Sequence, residues 1–337
     1  MMAGAEHRAP PARPSCVRIH FLLVISLFWG GHGLAQTNAI PNAVNEPAGF
    51  SGWLGAVQEW AEENLDENLL AALGEGDQTR VETFLQQLGV ELGGEYVLDL
   101  AALKEAALVI LPLLEAYEET QPYGAWLRAR LDYFEAAQAL QAIAPAPKTP
   151  PGKTVPPPPK PTVASQRKVW TQTLAQRPLP RGADRLVPQL KAIFAREGVP
   201  GELVWLAEVE SAFDRRALSP AGAAGLFQLM PATAKRFELR RWPFDQRYQV
   251  APSARAAARY LRILHAQFKD WPLAVAAYNA GEGRVGTLLT QHKARRFDTI
   301  APHLPAETQL YVPKVEATLR HREGVKLSAL PPPQPRP

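Results

Sequence analysis

A chain of 337 residues is longer than one typical domain, so the sequence favours two. Hydrophobic residues make up 46% and charged residues 21%, which is typical of a soluble globular protein, and the net charge of +4 hides an acidic N-terminal half and a basic C-terminal half. A basic half suits an anionic partner, but no Lys/Arg run with interleaved aromatic residues occurs, so nucleic acid is ranked last and is not expected as a partner.

Residues 1–35 are typical of a secretory signal peptide. Three arginines precede an apolar run at 21–29, and small residues at 33–35 predict cleavage after Ala35. The run is about half of the ~20 residues that a membrane span needs, so an uncleaved anchor is the less favoured alternative. We therefore expect a periplasmic or cell-envelope location. The single cysteine, Cys16, falls in this segment, so the mature chain would contain no disulfide.

Residues 36–143 are interpreted as an acidic α-helical domain of unknown role. Between positions 59 and 119 the chain carries 15 acidic and 2 basic residues, and helical segments are broken at Gly93-Gly94 and before Pro122. No catalytic constellation is evident there. Residues 45–142 resemble no known family, and they are a candidate surface for a protein partner.

Residues 144–164 are rich in proline, and they predict an extended linker that spaces two domains apart. The second domain is expected at 165–326, followed by a second proline-rich segment at 327–337. No alternating strand pattern of useful length occurs, so the expected fold class is all-α. Helices are expected over 185–196 and 203–210, from Pro231, from a Ser253 cap to Phe268, from Pro272 to 280, and over 307–320.

Glu210 interrupts an apolar helix face. If residues 203–210 are helical, successive residues step by about 100°, and Glu210 shares a face with Leu203 and Leu206 while Glu208 points elsewhere. Burial disfavours the charged form of a carboxylate and raises its pKa, which keeps the acid protonated near neutral pH. The alternative is a glutamate at a helix end that reaches solvent.

Four short motifs occur in order from Glu210 onward: ESAFD at Glu210, SPAGAAGLFQLMP at Ser219, AYNAG at Ala277, and LPAET at Leu304 with YVPK at Tyr311. Together they resemble the lytic transglycosylase domain of the soluble-lytic-transglycosylase type in glycoside hydrolase family 23. The spacing is closest to the membrane-bound D type. The resemblance covers roughly Arg181 to Arg320, less than half of the chain.

This resemblance implies a lysozyme-like α-helical fold with a groove for glycan strands. It also implies cleavage of the β-1,4 bond between N-acetylmuramic acid and N-acetylglucosamine in peptidoglycan, with a 1,6-anhydromuramic acid end as product. Glu210 matches the catalytic acid and base. Candidate substrate contacts or supporting residues are Ser211, Ser219, Gln228, Met230, Tyr278, Asn279, Glu307 and Tyr311. For Ser211, local hydrogen bonding is the alternative role.

The chemistry needs one carboxylate rather than two. Glycoside hydrolysis uses a pair of carboxylates, whereas only Glu210 has a persuasive sequence context. A single group can donate a proton to the leaving oxygen and then remove the proton of the substrate's own C6 hydroxyl. We expect no metal and no cofactor, because the histidines form no ligand pattern.

Three alternatives stay open. A lysozyme-like hydrolase would use the same scaffold and leave a reducing end. If the protein is not an enzyme, it is a non-catalytic scaffold that binds the cell wall. In the third, the N-terminal domain is the main functional module and recruits partners, while glycan cleavage is secondary.

Overall fold

The computed structural model describes residues 84, 87–116, 118, 120–144 and 159–336. The predicted signal peptide and the linker residues 145–158 lie outside the described residues. The chain divides into two units, Met1–Val44 and Asn45–Pro337, and every described residue belongs to the second unit.

Helices account for all the regular structure in the described part of the chain. The α-helices with defined bounds are α1 (Leu103–Ala116), α2 (Gln121–Arg128), α3 (Leu131–Ile143), α4 (Val163–Leu174), α5 (Ala183–Arg196), α6 (Leu206–Ser211), α7 (Pro231–Arg236), α8 (Val250–Phe268), α9 (Trp271–Ala280), α10 (Glu282–Gln291), α11 (Phe297–Ile300) and α12 (Ala306–Glu323). Residues 87–93 are also helical, and short 3-10 helices occupy Val97–Ala102, Gly201–Trp205, Gln246–Tyr248, Ala301–His303 and Leu327–Ala329. Two isolated bridges pair Ala224 with Leu218 and with Leu229, and no strand forms within these ranges. The all-α prediction is confirmed for this part of the chain.

Two predicted helix starts were wrong. Ser253 does not cap α8, which begins at Val250; its hydroxyl donates instead to the Gln249 carbonyl at 2.7 Å. Pro252 fits inside the first turn, where its missing N–H costs no hydrogen bond, so the helix can start before it. The segment expected as one helix over 203–210 is split, because a 3-10 helix (Gly201–Trp205) precedes α6.

The N-terminal helices pack directly against the C-terminal ones. The Leu218 amide donates to the Pro122 carbonyl at 3.0 Å, and the rings of Tyr133 and Trp170 meet edge to face with centroids 5.5 Å apart. The buried apolar side chains of both segments belong to one cluster. The described helices on either side of the linker are therefore in contact, and the domain boundaries at 36–143 and 165–326 stay a prediction.

The last long helix, α12, contributes to both the core and the site. Glu307, Tyr311 and Lys314 stand at i, i+4 and i+7, which places them on one helix face. The residues from Thr308 to Val315 are buried, so this face lies inside the protein. In the described ranges, no helix is both long and apolar enough to span a bilayer.

Candidate active site

Glu210 lies near the end of a helix with no exposed face. Every residue of α6 is buried, and Glu210 is 4% exposed, so the solvent-exposed alternative is wrong. The helix stops because Ala212 and Phe213 adopt left-handed φ angles of 50° and 63°, at a cost of about 1 kcal/mol each. Glu208 points elsewhere, as predicted, but it is also buried and pairs with Arg322 at 2.8 Å.

Two side chains from distant helices hold the Glu210 carboxyl group. The Tyr311 hydroxyl of α12 donates to Oε1 at 2.6 Å. Arg130, which immediately precedes α3, places Nη2 3.9 Å from Oε2. A second nitrogen of Arg130, Nη1, donates to the Glu210 backbone carbonyl at 3.2 Å. The carboxyl group is thus fixed in place by residues 80 positions before it and 101 positions after it.

Burial raises the pKa of Glu210 to about 7. The opposing effects are the charge of Arg130, the Tyr311 hydrogen bond and the charge of Lys314, which all favour the ionised form. The charge of Glu307 adds to the increase. A carboxyl group with this pKa is partly protonated and partly ionised near neutral pH, so it can donate a proton and later accept one.

The two candidate tyrosines are both fixed by hydrogen bonds. Burial and the nearby Glu210 raise the pKa of the Tyr311 hydroxyl well above its ordinary value, so it remains a donor. Tyr278 of α9 donates its hydroxyl to the Phe227 carbonyl at 2.8 Å, and burial followed by the charge of Glu210 raises its pKa as well. Tyr278 therefore connects α9 to the turn that follows α6.

The two candidate serines hold that turn together. The Ser211 hydroxyl lies 3.1 Å from the Ala207 carbonyl and 3.0 Å from the Leu226 carbonyl, within reach of both as a donor. The Ser219 hydroxyl accepts from the Ala223 amide at 2.9 Å. Both serines are buried. The two contacts of Ser211 are the local hydrogen bonds that its alternative role predicts. Their contact with substrate stays a prediction.

The remaining candidates are Gln228, Met230 and Asn279. Gln228 donates to the Ala217 and Gly225 carbonyls, each at 3.0 Å, while its own Oε1 atom is buried and has no partner in the described part of the chain. Met230 is half-buried at the N-terminus of α7. The Asn279 side-chain oxygen accepts from Thr308 at 2.6 Å, which joins α9 to α12.

Glu307 is a second carboxylate near Glu210, which its sequence context had suggested only as a supporting group. Its Oε1 lies 3.3 Å from Nη2 of Arg130, the nitrogen that also faces Glu210. Its side chain is 22% exposed, against 5% for the side chain of Glu210. Across the described ranges, no group of three or more His, Cys, Asp or Glu side chains is arranged to hold a metal ion.

Sequence reasoning missed Arg130, because it lies in a segment with no motif. Lys314, the last residue of the YVPK motif, is 1% exposed and donates to Asp132 at 2.9 Å. Arg130 stands between the large aromatic residues Trp126 and Tyr133 in the sequence. A cation among bulky apolar residues is a usable signal of a buried partner, since arginine is seldom buried unless it is paired.

Residues 190–301 match a family model described as the Transglycosylase SLT domain. The match contains Glu210 and Tyr278 and ends before Glu307 and Tyr311. This confirms the family resemblance that the motifs suggested for this part of the chain.

Known proteins align over a similar length. Over 126 residues the chain is 44% identical to the membrane-bound lytic murein transglycosylase D of Escherichia coli strain K12. This alignment covers 36% of this chain and 28% of that protein. Over 134 residues it is 38% identical to the soluble lytic murein transglycosylase of Salmonella typhimurium strain LT2, covering 36% and 20%. The chain thus spans less than a third of either relative.

Among solved structures, the lytic transglycosylase Slt of Pseudomonas aeruginosa aligns with 81% of this chain and 46% of its own. The sequence identity is 21% and the TM-score is 0.39. This TM-score is too low to support an argument about shape.

Proposed function

We propose that this chain, which carries a Transglycosylase SLT domain at residues 190–301, is a peptidoglycan lytic transglycosylase. It cleaves the β-1,4 bond between N-acetylmuramic acid and N-acetylglucosamine and leaves a 1,6-anhydromuramic acid end. The observation that carries the proposal is Glu210, a buried carboxyl group in the matched segment whose pKa is raised to about 7. That value suits one group that acts first as acid and then as base.

In the first step, protonated Glu210 donates its proton to the glycosidic oxygen, and the bond from this oxygen to C1 of the muramic acid breaks. The N-acetyl oxygen of the same sugar stabilises the positive charge at C1. Because Tyr311 donates to Oε1, Oε2 is left to carry the proton. The leaving sugar departs with a free hydroxyl group.

In the second step, ionised Glu210 removes the proton of the C6 hydroxyl as that oxygen attacks C1. The carboxyl group returns to its starting state, and no water is consumed. Because the nucleophile belongs to the substrate, the step is intramolecular and gains rate from proximity. Arg130 and Tyr311 stabilise the ionised carboxylate between the two steps.

A hydrolase is the second candidate, and Glu307 is the observation in its favour. A second carboxylate could act as base on a water molecule, and the product would then carry a reducing end. However, the Glu307 carboxylate is already engaged in an ion pair with Arg130 at 3.3 Å. The transglycosylase reaction leaves Glu307 as a partner of Arg130 and therefore accounts for this contact.

Product analysis separates the two functions. Purified wild-type protein and the Glu210→Gln variant are incubated with peptidoglycan sacculi, and the released fragments are analysed by mass spectrometry. We expect the wild type to release fragments that are lighter than reducing-end fragments by one water. We expect Glu210→Gln, which keeps the shape of the side chain but cannot donate a proton, to retain less than a few per cent of the turnover and to bind sacculi normally.

A hydrated, reducing end from the wild type would establish the hydrolase. Turnover above a few per cent in Glu210→Gln would remove Glu210 from the role of acid. Glu202→Gln, on the 3-10 helix before α6, is the matched control and should act as the wild type does. We further propose a location in the periplasm or cell envelope, which rests on the predicted signal peptide and on the substrate.

A further inference from the structure

Arg130 belongs to the N-terminal helices and yet lies in the site. It immediately precedes α3, is 6% exposed, and stands outside the 190–301 segment that the family model matches. Its guanidinium carbon lies 4.6 Å from the centre of the Trp126 ring, which supports the side chain from α2. The side chain is therefore held from both neighbouring helices and points at Glu210.

The guanidinium group is shared between two carboxyl groups. Its Nη2 lies 3.3 Å from Glu307 and 3.9 Å from Glu210, so Glu307 is the closer ionic partner. Its Nε is buried and has no hydrogen-bond partner within the described residues. When Glu210 is protonated, Arg130 and Glu307 form a neutral pair. Once Glu210 has lost its proton, the same cation faces two negative charges.

We propose that Arg130 is a positioning residue that holds Glu210 and takes up its negative charge after proton donation, which makes α2 and α3 part of the catalytic unit. This inference rests on the proposed function. Glu307 anchors Arg130 and competes for its charge, so Arg130 cannot form a close two-pronged pair that would keep Glu210 permanently ionised. The N-terminal helices thus supply a residue that the matched domain lacks.

The groups that face Glu210 act in known directions. They are Arg130 and Tyr133 from α3, Tyr278 from α9, and Glu307, Tyr311 and Lys314 from α12. After burial, the Arg130 charge has the largest effect on the pKa of Glu210, and it lowers that pKa, whereas the Glu307 charge raises it. Removing one or the other must therefore move the Glu210 titration in opposite directions.

The test measures this titration directly by carbon-13 NMR of glutamate carboxyl groups, with Glu210→Gln used to assign the signal. The wild-type midpoint is expected near pH 7. Arg130→Gln should shift the midpoint upward by roughly one pH unit, and Glu307→Gln should shift it downward. Arg130→Lys keeps the charge and should stay near the wild type. The alkaline limb of the activity profile on sacculi should move with the midpoint in each variant.

Arg128→Gln is the matched control. Arg128 lies at the end of α2, is exposed, and pairs with Glu115 outside the site, so its loss should leave both midpoint and activity unchanged. Circular dichroism checks the fold of each variant. If Arg130→Gln does not fold, Arg130→Met takes its place, because it keeps an unbranched apolar stem beside Trp126 while removing the charge. Glu307→Gln cannot decide by itself, because the Glu307 charge raises the Glu210 pKa directly.

A midpoint that stays in place in both variants, or moves the same way in both, would overturn the role of Arg130. If Arg130 had only a structural role, replacing it would reduce activity without moving the alkaline limb of the activity profile. Should the wild type release no anhydro product while the midpoints move as expected, the proposed function fails and the coupling of Arg130 to Glu210 stands.

Discussion

At Glu210, burial and charge act in opposite directions, and burial prevails. The carboxyl group is 4% exposed, and the loss of water raises its pKa more than Arg130 and Tyr311 lower it. The pKa of about 7 is a compromise, because full burial without these partners would keep the group neutral at every working pH. A reaction that needs both protonation states requires such a balance.

This balance reduces stability at higher pH. The pKa of Glu210 in the folded protein exceeds its ordinary value of 4.5. Below pH 4.5 the group therefore does not reduce the free energy of unfolding, and the reduction grows as the pH rises toward 7. Glu210→Gln should therefore raise the free energy of unfolding at pH 8 by up to about 3 kcal/mol and change it little at pH 4. Urea unfolding of both proteins at the two pH values measures the difference.

The control for this prediction is Glu202→Gln, a partly exposed glutamate on the preceding 3-10 helix. It should change the free energy of unfolding little at either pH. A Glu210→Gln variant that is less stable than the wild type at pH 8 would mean that the ionised carboxylate is stabilised more by Arg130 and Tyr311 than burial costs it.

At the scale of elements, the turn between α6 and α7 depends on close backbone approach. Gly225 has a φ of +78°, and a Cβ placed on it would lie 2.0 Å from the Arg247 carbonyl oxygen. The buried Arg247 side chain donates to the Gly222 and Leu229 carbonyls, so the two segments meet through both backbone and side chain. This contact holds the turn that carries Ser219 and Gln228.

Two glycines of this turn offer a matched comparison. Gly222 also has a positive φ, of +80°, but a Cβ there meets only the Pro231 ring at 3.7 Å. Gly222→Ala should cost about 1 kcal/mol from backbone strain alone. Gly225→Ala should cost at least about 2 kcal/mol more, because the Arg247 backbone must also move. Urea unfolding measures the stability of both variants. Equal losses of stability would mean that the Arg247 backbone moves away from the new Cβ at no cost in free energy.

The helices were largely predictable, and their ends were not. Pro231, Pro272 and the 307–320 pattern each correspond to a helix within a few residues, because periodicity and proline position are local signals. The start of α8 and the break before α6 depend on tertiary neighbours, so neither could be predicted from local sequence signals. The wrong cap at Ser253 has the same cause, since a serine within a helix can bond backward to its own backbone.

At the scale of the whole molecule, the N-terminal helices are structural partners of the C-terminal helices that include and flank the matched segment. Buried Lys314 of α12 donates to Asp132 of α3, and Arg177 pairs with the same carboxylate at 2.7 Å. The Ala306 amide at the start of α12 donates to the Gly94 carbonyl at 2.6 Å. Removing these helices would leave Lys314 buried without its counter-ion and would expose the apolar rings beside it.

We therefore expect a chain that begins at residue 159 to lose cooperative folding and all activity on sacculi. A chain that begins at residue 84 keeps every contact described above and should fold and cleave. Thermal unfolding followed by circular dichroism, together with product release, compares the two. Full activity from the shorter chain would show that Arg130 and its helices are dispensable, which would contradict both the packing argument and the role of Arg130.

By itself, the sequence determined the helical class and the family resemblance, and it singled out Glu210 as the predicted acid. These depend on residue order and on local periodicity, which are properties of the sequence itself. Only the tertiary structure decided that Arg130 faces Glu210, that Glu307 shares this cation, and that the N-terminal helices enter the site. The physical reason is that burial and Coulomb interaction depend on distances through space, and the chain brings together residues that stand 80 and more positions apart.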